Sequence, residues 1–102
     1  MQKIVVGTTP KIRWHFSKVS VSDIVTATTT IKKHGLNVVV KDIDSATIND
    51  DEITYSLSQD ETLGAGADIC EIMLNWVTNT GIRGASGITH IEFTKNHINE
   101  VL

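Results

Sequence analysis

The sequence of 102 residues has few of the residue types that build disulfides, zinc sites or membrane spans. Its one cysteine, Cys70, excludes an intramolecular disulfide and a zinc site built on several cysteines. The apolar neighbours Ile69 and Ile72 predict that this thiol is buried. No apolar run approaches the roughly 18 residues of a membrane-spanning helix. The apolar run at residues 4–6 ends at Gly7 and is too short for the apolar region of a signal peptide, so we expect no signal peptide. We therefore expect synthesis in the cytoplasm and no membrane partner.

Basic charge and aromatic side chains are also scarce. The formal net charge is −3, and aromatic residues make up 5% of the chain. Because such a chain lacks the excess of lysine and arginine that holds phosphate backbones, we expect no nucleic-acid partner. The two tryptophans, Trp14 and Trp76, fall on predicted inward rows and are expected in the core.

Patterns typical of catalysis or metal binding are missing as well. The Gly-Ala-Ser-Gly stretch at residues 84–87 lacks the spacing of a nucleophile elbow. The acidic segment 42–52 does not match a calcium-binding EF-hand, since Thr47 occupies the position of the turn glycine. The four histidines have no metal-binding spacing and are expected on the surface; they are His15, His34, His90 and His97. We therefore predict a protein that is not an enzyme and uses no cofactor or metal, with a calcium site between loops as an open alternative.

What the sequence has in excess is β-branched side chains. Thirteen threonines, 13 isoleucines and 10 valines account for 36 of the 102 residues. Branched side chains lose rotamer freedom in a helix and pack well on a pleated sheet, so this excess favours strands. The chain is 40% hydrophobic and 21% charged, which suits one folded domain with its own core.

Alternation of apolar and polar residues predicts where most of the strands lie. It runs through residues 11–17 and 24–33, and a His34-Gly35 turn leads into a returning strand at residues 37–42. A second hairpin is predicted around the turn Asn49-Asp50-Asp51. Residues 84–87 are predicted to form a bulge or kink. The predicted inward rows are Val25, Ala27, Thr29 and Ile31; Ile53, Tyr55 and Leu57; Cys70, Ile72, Leu74 and Trp76; and Thr89, Ile91 and Phe93.

One segment carries a helical signal. Ser58-Gln59-Asp60-Glu61 matches a capping box, and Leu63-Gly64 is predicted to end the helix after about one turn. About seven short strands with frequent turn signals, together with this one short helical turn, predict an all-β fold, an immunoglobulin-like antiparallel β-sandwich. We assign residues 1–95 to this domain and residues 96–102 to a C-terminal tail.

The outward strand faces are the candidate binding surface. Threonines on residues 24–33 present little charge that a partner would have to desolvate, and Met73 gives a neighbouring strand an apolar centre. Apolar residues in the tail also predict a contact, because terminal apolar side chains rarely stay exposed without a partner. The candidate assembly residues are Thr26, Thr28, Thr30, Met73, Ile98, Val101 and Leu102. An ordinary solvated sheet face is the alternative interpretation of the threonines.

Three segments resemble a known family. They are Gly7-Thr8-Thr9-Pro10-Lys11-Ile12, Leu57-Ser58-Gln59-Asp60-Glu61-Thr62-Leu63 and Asn99-Glu100-Val101-Leu102. Together they resemble small structural proteins of phages and prophages of Gram-positive bacteria, and the strand order is similar to the N-terminal domain of phage baseplate upper proteins. Ser58 replaces the usual Thr of that pattern, and Asp60 replaces its first Glu. The resemblance implies a structural component of the virion and supplies no catalytic residues.

We therefore expect a virion protein, on the head surface as a decoration protein or in the tail and baseplate. Its expected partners are other copies of itself and other virion proteins, in a homo-oligomer or a lattice; the sequence does not separate head from tail. An alternative function is a binding module for carbohydrate or a host surface, for which Tyr55 and the acidic segment 42–52 are the candidate residues. A cytoplasmic phage regulator, or an inhibitor of a host enzyme, is a third interpretation.

Overall fold

A computed structural model describes residues 2–96, which form nine strands in two sheets. The large sheet contains β1 (Gln2–Val5), β3 (Ile24–Lys33), β4 (Leu36–Asp42), β7 (Asp68–Thr78), β8 (Arg83–Ala85) and β9 (Thr89–Thr94). The small sheet contains β2 (Lys11–His15), β5 (Ala46–Ile48) and β6 (Glu52–Ser56). One α-helix, α1 (Gln59–Ala65), connects β6 to β7, and two 3-10 turns lie at Val21–Asp23 and Ile43–Ser45.

The strand order confirms the predicted immunoglobulin-like sandwich. The large sheet runs β1-β9-β7-β3-β4, with β8 paired to the far end of β7, and the small sheet runs β2-β6-β5. The pairing is not antiparallel throughout, however, because β1 lies parallel to β9, with Gln2 opposite Ile91. A pairing between strands this far apart in sequence leaves no local pattern from which its direction could be predicted.

The hairpin of β3 and β4 forms because its two-residue turn suits the twist of the strands. His34 and Gly35 both have positive φ, 53° and 79°, as a tight hairpin turn of this kind requires. Lys33 and Leu36 face each other at the end of the ladder, so the turn contains only these two residues. The predicted turn is confirmed.

The core lies between the two sheets and comes from alternate residues, as predicted. The large sheet contributes the buried rows Ala27, Thr29 and Ile31 on β3 and Cys70, Ile72 and Leu74 on β7; the small sheet contributes Ile53 and Tyr55. The Tyr55 hydroxyl donates a hydrogen bond to the backbone oxygen of Ala27 at 2.9 Å, which links β6 to β3. This bond satisfies the polar end of a side chain that has no exposed surface.

The helix α1 begins at the predicted capping box. The Glu61 amide donates to Ser58 Oγ at 3.1 Å, and the Ser58 amide donates to Glu61 Oε1 at 2.8 Å. The helix continues to Ala65 rather than ending at Leu63-Gly64, so it is longer than predicted. Burial of Ala65 accounts for the extra residues, and Gly66, with a φ of 70°, ends the helix.

Three further expectations are wrong in detail. Val25 is exposed rather than inward, because the register of β3 shifts between Ile24 and Thr26 and Ile24 takes the buried position. Thr89 is exposed at the start of β9. The predicted bulge at residues 84–87 is partly a strand, since β8 pairs with β7. With β8 and the short β1, the number of strands is nine rather than about seven.

Candidate functional site

The four candidate assembly residues in the described part of the chain lie on one surface. Thr26, Thr28 and Thr30 point away from the core on β3, and Met73 lies directly opposite Thr30 on β7. The sequence presents the threonines and Met73 as two separate faces, but the pairing of β3 with β7 joins them. We call this surface of the large sheet the outer face; its central residues are Thr26, Thr28, Thr30, Val40, Met73 and Asn75.

Two exposed apolar residues extend the outer face on either side of Met73. Val40 on β4 faces Thr30 and is 52% exposed, and Ile88, between β8 and β9, is 58% exposed. Ile88, Met73 and Thr30 line a shallow groove with a volume of about 330 Å3, and the charged residues Lys32 and Glu71 line it as well. The central residues themselves are uncharged and partly apolar, with charged side chains beside them. Periodicity missed Val40 because Val38-Val39-Val40 has no alternation, and it missed Ile88 because this residue follows glycines outside any strand.

Charged residues border the outer face on more than one side, and Asp42 and Arg83 lie near Thr28 and Thr26. Lys32, Glu71 and His90 follow one another across β3, β7 and β9 in register, so opposite charges are neighbours. On the other side of the centre, the Thr28 hydroxyl donates to Asp42 Oδ1 at 3.2 Å. A partner that covers the centre would bury mainly threonine and apolar side chains. At Thr28 it would also approach the Asp42 carboxylate, which accepts the Thr28 hydrogen bond and has no ion pair within residues 2–96.

The predicted contact residues of the tail, Ile98, Val101 and Leu102, lie outside the described residues. The last described residue, Asn96, donates from Nδ2 to the Val6 backbone oxygen at 2.8 Å. This bond holds the start of the predicted tail against the end of β1.

Two of the three segments that carry the family resemblance meet in space, although about 50 residues separate them in sequence. The Gly7 amide donates to Thr62 Oγ1 at 2.9 Å, and this hydroxyl in turn donates to the Thr8 backbone oxygen at 2.8 Å. The Leu57 amide donates to the Pro10 backbone oxygen at 2.9 Å. Thr62 is fully buried, so these motifs join α1 to the connection between β1 and β2. Their role in this chain is structural.

The histidines in the described part of the chain are on the surface, as predicted for His15, His34 and His90. Two of them have carboxylate partners: His15 Nε2 lies 2.9 Å from Asp51 Oδ2, and His34 Nε2 lies 2.9 Å from Asp68 Oδ2. A hydrogen bond from the Ile69 amide, and then the one from His34, lower the pKa of Asp68. Both partners are more than 30 residues away in sequence, so spacing gave no sign of them. His97 lies outside residues 2–96.

Cys70 is buried on β7, as predicted. Burial raises the pKa of its thiol, and the positive charge of Lys33 offsets part of this effect. A buried thiol with a raised pKa is poor in thiolate, the reactive form.

Tyr55, the candidate aromatic residue for a carbohydrate site, is fully buried. On β6 its side chain points into the core. The prediction that Tyr55 is an exposed aromatic residue of a binding module is therefore wrong. Within residues 2–96, no group of three or more His, Cys, Asp or Glu side chains is arranged to hold a metal ion. None of the helices in that range is long and apolar enough to cross a membrane.

Both tryptophans pack at the margin of the core. Trp14 Nε1 donates to Thr29 Oγ1 at 2.9 Å, which links β2 to β3. Trp76 meets the edge of Phe16, with ring centroids 5.2 Å apart at an interplanar angle of 85°. Each is half-buried rather than enclosed. Neither indole is therefore available as a flat stacking platform.

Comparison with known proteins adds no assignment to this geometry. The chain matches no protein-family model, no curated protein and no solved structure.

Proposed function

We propose that this chain is a non-enzymatic structural protein of a bacteriophage virion that acts by packing against other subunits. The observation that carries the proposal is the outer face, where Thr26, Thr28 and Thr30 lie beside Met73 with Val40 and Ile88 exposed around them. The resemblance of the Gly7–Ile12 and Leu57–Leu63 motifs to phage structural proteins supports the virion as the place where this packing happens. A position on the head surface or in the tail and baseplate agrees equally well with this surface.

The outer face suits subunit packing for a physical reason. Burying exposed apolar groups of Val40, Met73 and Ile88 is favourable by about 25 cal/mol per Å2 of apolar surface. The threonines between them have short side chains, which lose little conformational freedom when they are covered. Interface centres are typically depleted of charge and surrounded by a polar rim, and the Lys32–Glu71 row would form part of such a rim.

The direct test is the protein content of purified virions. We expect mass spectrometry to find this chain at a stoichiometric level, in a fixed ratio to the major head or tail proteins. Absence of the chain from purified particles would contradict the proposal. Gene position beside the capsid genes or beside the baseplate genes would then separate the two locations.

A double variant tests whether the outer face is the contact surface. Thr26→Glu with Met73→Glu places two charges on the face, in rows that do not oppose each other directly. Burying a carboxylate without a partner costs several kcal/mol in an interface, so we expect incorporation into particles to fall at least about tenfold. The measurement is the ratio of this chain to capsid protein in particles assembled with the variant.

The matched control is Thr9→Glu with Ile48→Glu. It replaces one threonine and one apolar residue that are both exposed and lie off the outer face, Thr9 between β1 and β2 and Ile48 on the small sheet. We expect this control to incorporate as the wild type does. Equal incorporation of the outer-face variant and the wild type would remove the outer face from the proposal.

A further inference from the structure

The small sheet has two edges with opposite charge. Its order β2-β6-β5 makes β2 and β5 the outer strands, and within residues 2–96 each of them pairs only with β6. Each edge therefore presents backbone N–H and C=O groups that another strand can bond. The two edges lie on opposite sides of β6.

The β2 edge is positively charged. Lys11, Arg13 and His15 alternate with Ile12 and Trp14, so all three basic side chains are exposed on the outward side of the small sheet. In the described part of the chain, Lys11 and Arg13 form no ion pair. His15 already has the Asp51 carboxylate 2.9 Å from its Nε2, so the unbalanced positive charge of this edge is that of Lys11 and Arg13.

The β5 edge is negatively charged. Asp44 lies in the turn immediately before β5, and Asp50 lies in the turn after it; both are exposed. Neither carboxylate has an ion-pair partner among residues 2–96. Thr47, at the middle of β5, is exposed and uncharged.

The register of the small sheet aligns these charges. Both β2 and β5 are antiparallel to β6, so they run in the same direction; Arg13 and Thr47 both lie opposite Thr54. If a second copy continues the sheet sideways, its β5 therefore lies parallel to β2 of the first copy. In the register that places its Thr47 beside Arg13, its Asp44 lies toward Lys11 and its Asp50 toward His15.

Other edge pairings place like charges together. Two β2 edges would bring Lys11 and Arg13 of one copy against the same residues of the other, and two β5 edges would bring the aspartates together. Like charges opposite each other across strands are destabilising. The charge pattern thus favours the unlike pair of edges over both symmetric alternatives.

We propose that a second copy of this chain docks its β5 edge on the β2 edge, so that the small sheet continues head to tail from copy to copy. The contact goes beyond the proposed function, because it uses the small sheet rather than the outer face and does not require a virion. A contact between two different surfaces of the same chain closes into a ring or continues as a filament, according to the rotation between copies.

The contact is expected to be weak and sensitive to salt. Three residues of β5 supply only a few backbone hydrogen bonds, and a small interface of this kind is typical of transient association. Its charges are exposed, so screening weakens it as the Debye length falls from about 30 Å at 0.01 M ionic strength to about 3 Å at 1 M.

Sedimentation velocity of the full chain at these two ionic strengths tests the salt dependence. We expect reversible self-association at low ionic strength, with an association constant at least about tenfold lower at 1 M salt. A chain that is equally monomeric at both ionic strengths at millimolar concentration would overturn the proposal. So would association that is independent of salt.

Charge reversal identifies the edges. Lys11→Glu with Arg13→Glu makes both edges acidic, and Asp44→Lys with Asp50→Lys makes both edges basic. Each variant alone is expected to remain monomeric at low ionic strength, and an equimolar mixture is expected to associate again. The control Lys3→Glu with Lys95→Glu changes the net charge by the same amount as the first variant on exposed residues elsewhere, and it is expected to associate about as the wild type does.

Circular dichroism confirms that each variant is folded before the comparison. If either variant alone associates as the wild type does, or if the mixture stays monomeric, the proposed pair of edges is wrong. The outer-face variant Thr26→Glu with Met73→Glu should leave this association unchanged. The proposal for the outer face and the proposal for the small-sheet edges can therefore be contradicted independently of each other.

Discussion

Gly84 lies beneath the indole of Trp76, and its missing side chain is what allows the two to approach. A Cβ at this position would lie well inside van der Waals contact with Cε2 and Cζ2 of the Trp76 ring. Gly64 offers a contrast, because a Cβ added there, in α1, would meet no atom within 4 Å. Replacement by alanine is therefore expected to destabilise the protein at Gly84 and to stabilise it at Gly64.

We expect Gly84→Ala to lower the free energy of unfolding by about 1–3 kcal/mol, since an added methyl group overpacks the site. We expect Gly64→Ala to raise it by about 0.5–1 kcal/mol, because alanine is the better helix former. Urea unfolding monitored by tryptophan fluorescence compares both variants with the wild type. A neutral Gly84→Ala variant would show that Trp76 can move aside at no cost.

At the scale of the elements, α1 depends on a carboxylate with two roles. Glu61 closes the capping box and lies 2.9 Å from Lys41 Nζ on β4. Burial alone would raise the pKa of Glu61, but the hydrogen bond from the Ser58 amide and the interaction with Lys41 together lower it. A lowered pKa means that the ionised form is favoured in the folded state.

This carboxylate makes the stability of the protein depend on acid pH. Its contribution is fully present above the unfolded pKa of about 4.3 and is lost as pH falls through the lower folded pKa. We expect Glu61→Gln to be less stable than the wild type at pH 7 and to lose less stability on going from pH 5 to pH 3. Urea titrations across this range measure both effects. Asp60→Asn, in the same turn but exposed, is the control and is expected to keep the acid dependence of the wild type.

The elements that sequence reasoning predicted correctly are those with local causes. The β3–β4 hairpin follows from His34-Gly35 and the start of α1 from Ser58 and Glu61, within four residues in each case. The strand β8 escaped prediction because Arg-Gly-Ala has no alternation and is a strand only through its pairing with β7. The exposure of Val25 depends on a register shift against β7, which its own neighbours do not encode.

The candidate site also has one part that the sequence predicts and one part that only the pairing of the strands shows. Alternation along β3 placed three threonines on one face, but it could not show that Met73 lies directly beside Thr30. That juxtaposition, like the approach of Asp51 to His15, comes from the pairing of distant strands. Val40 and Ile88 joined the outer face only once the sheet order was known.

For the whole molecule, the bond from Tyr55 to the Ala27 oxygen is a direct polar link between the two sheets. Burial raises the pKa of Tyr55, and a hydrogen bond with Thr29 only partly offsets it. The folded state therefore keeps a phenolic proton that the unfolded chain releases more readily. The stability that this proton provides is fully present below the unfolded pKa of about 10 and is lost as pH rises through the higher folded pKa.

We expect Tyr55→Phe to lower the free energy of unfolding at pH 7 by about 1–2 kcal/mol, because it removes a buried hydrogen bond. It should also remove part of the loss of stability above pH 10. The loss due to Cys70, whose pKa burial also raises, begins near the unfolded thiol pKa of about 8.5 and should remain in this variant. Urea unfolding between pH 7 and pH 11 separates the two contributions, and an unchanged alkaline profile would contradict the role given to Tyr55.

The parallel pairing of β1 with β9 has a consequence for how the protein is made. Gln2 cannot meet Ile91 until the ribosome has synthesised almost the whole described chain. At a synthesis rate of about 5–20 residues per second, β1 waits roughly 5–20 s for its partner, while the β3–β4 hairpin can close in microseconds. β1 is thus synthesised long before the strand that it pairs with, and until β9 is made its apolar residues Ile4 and Val5 are open to chaperones and to neighbouring nascent chains.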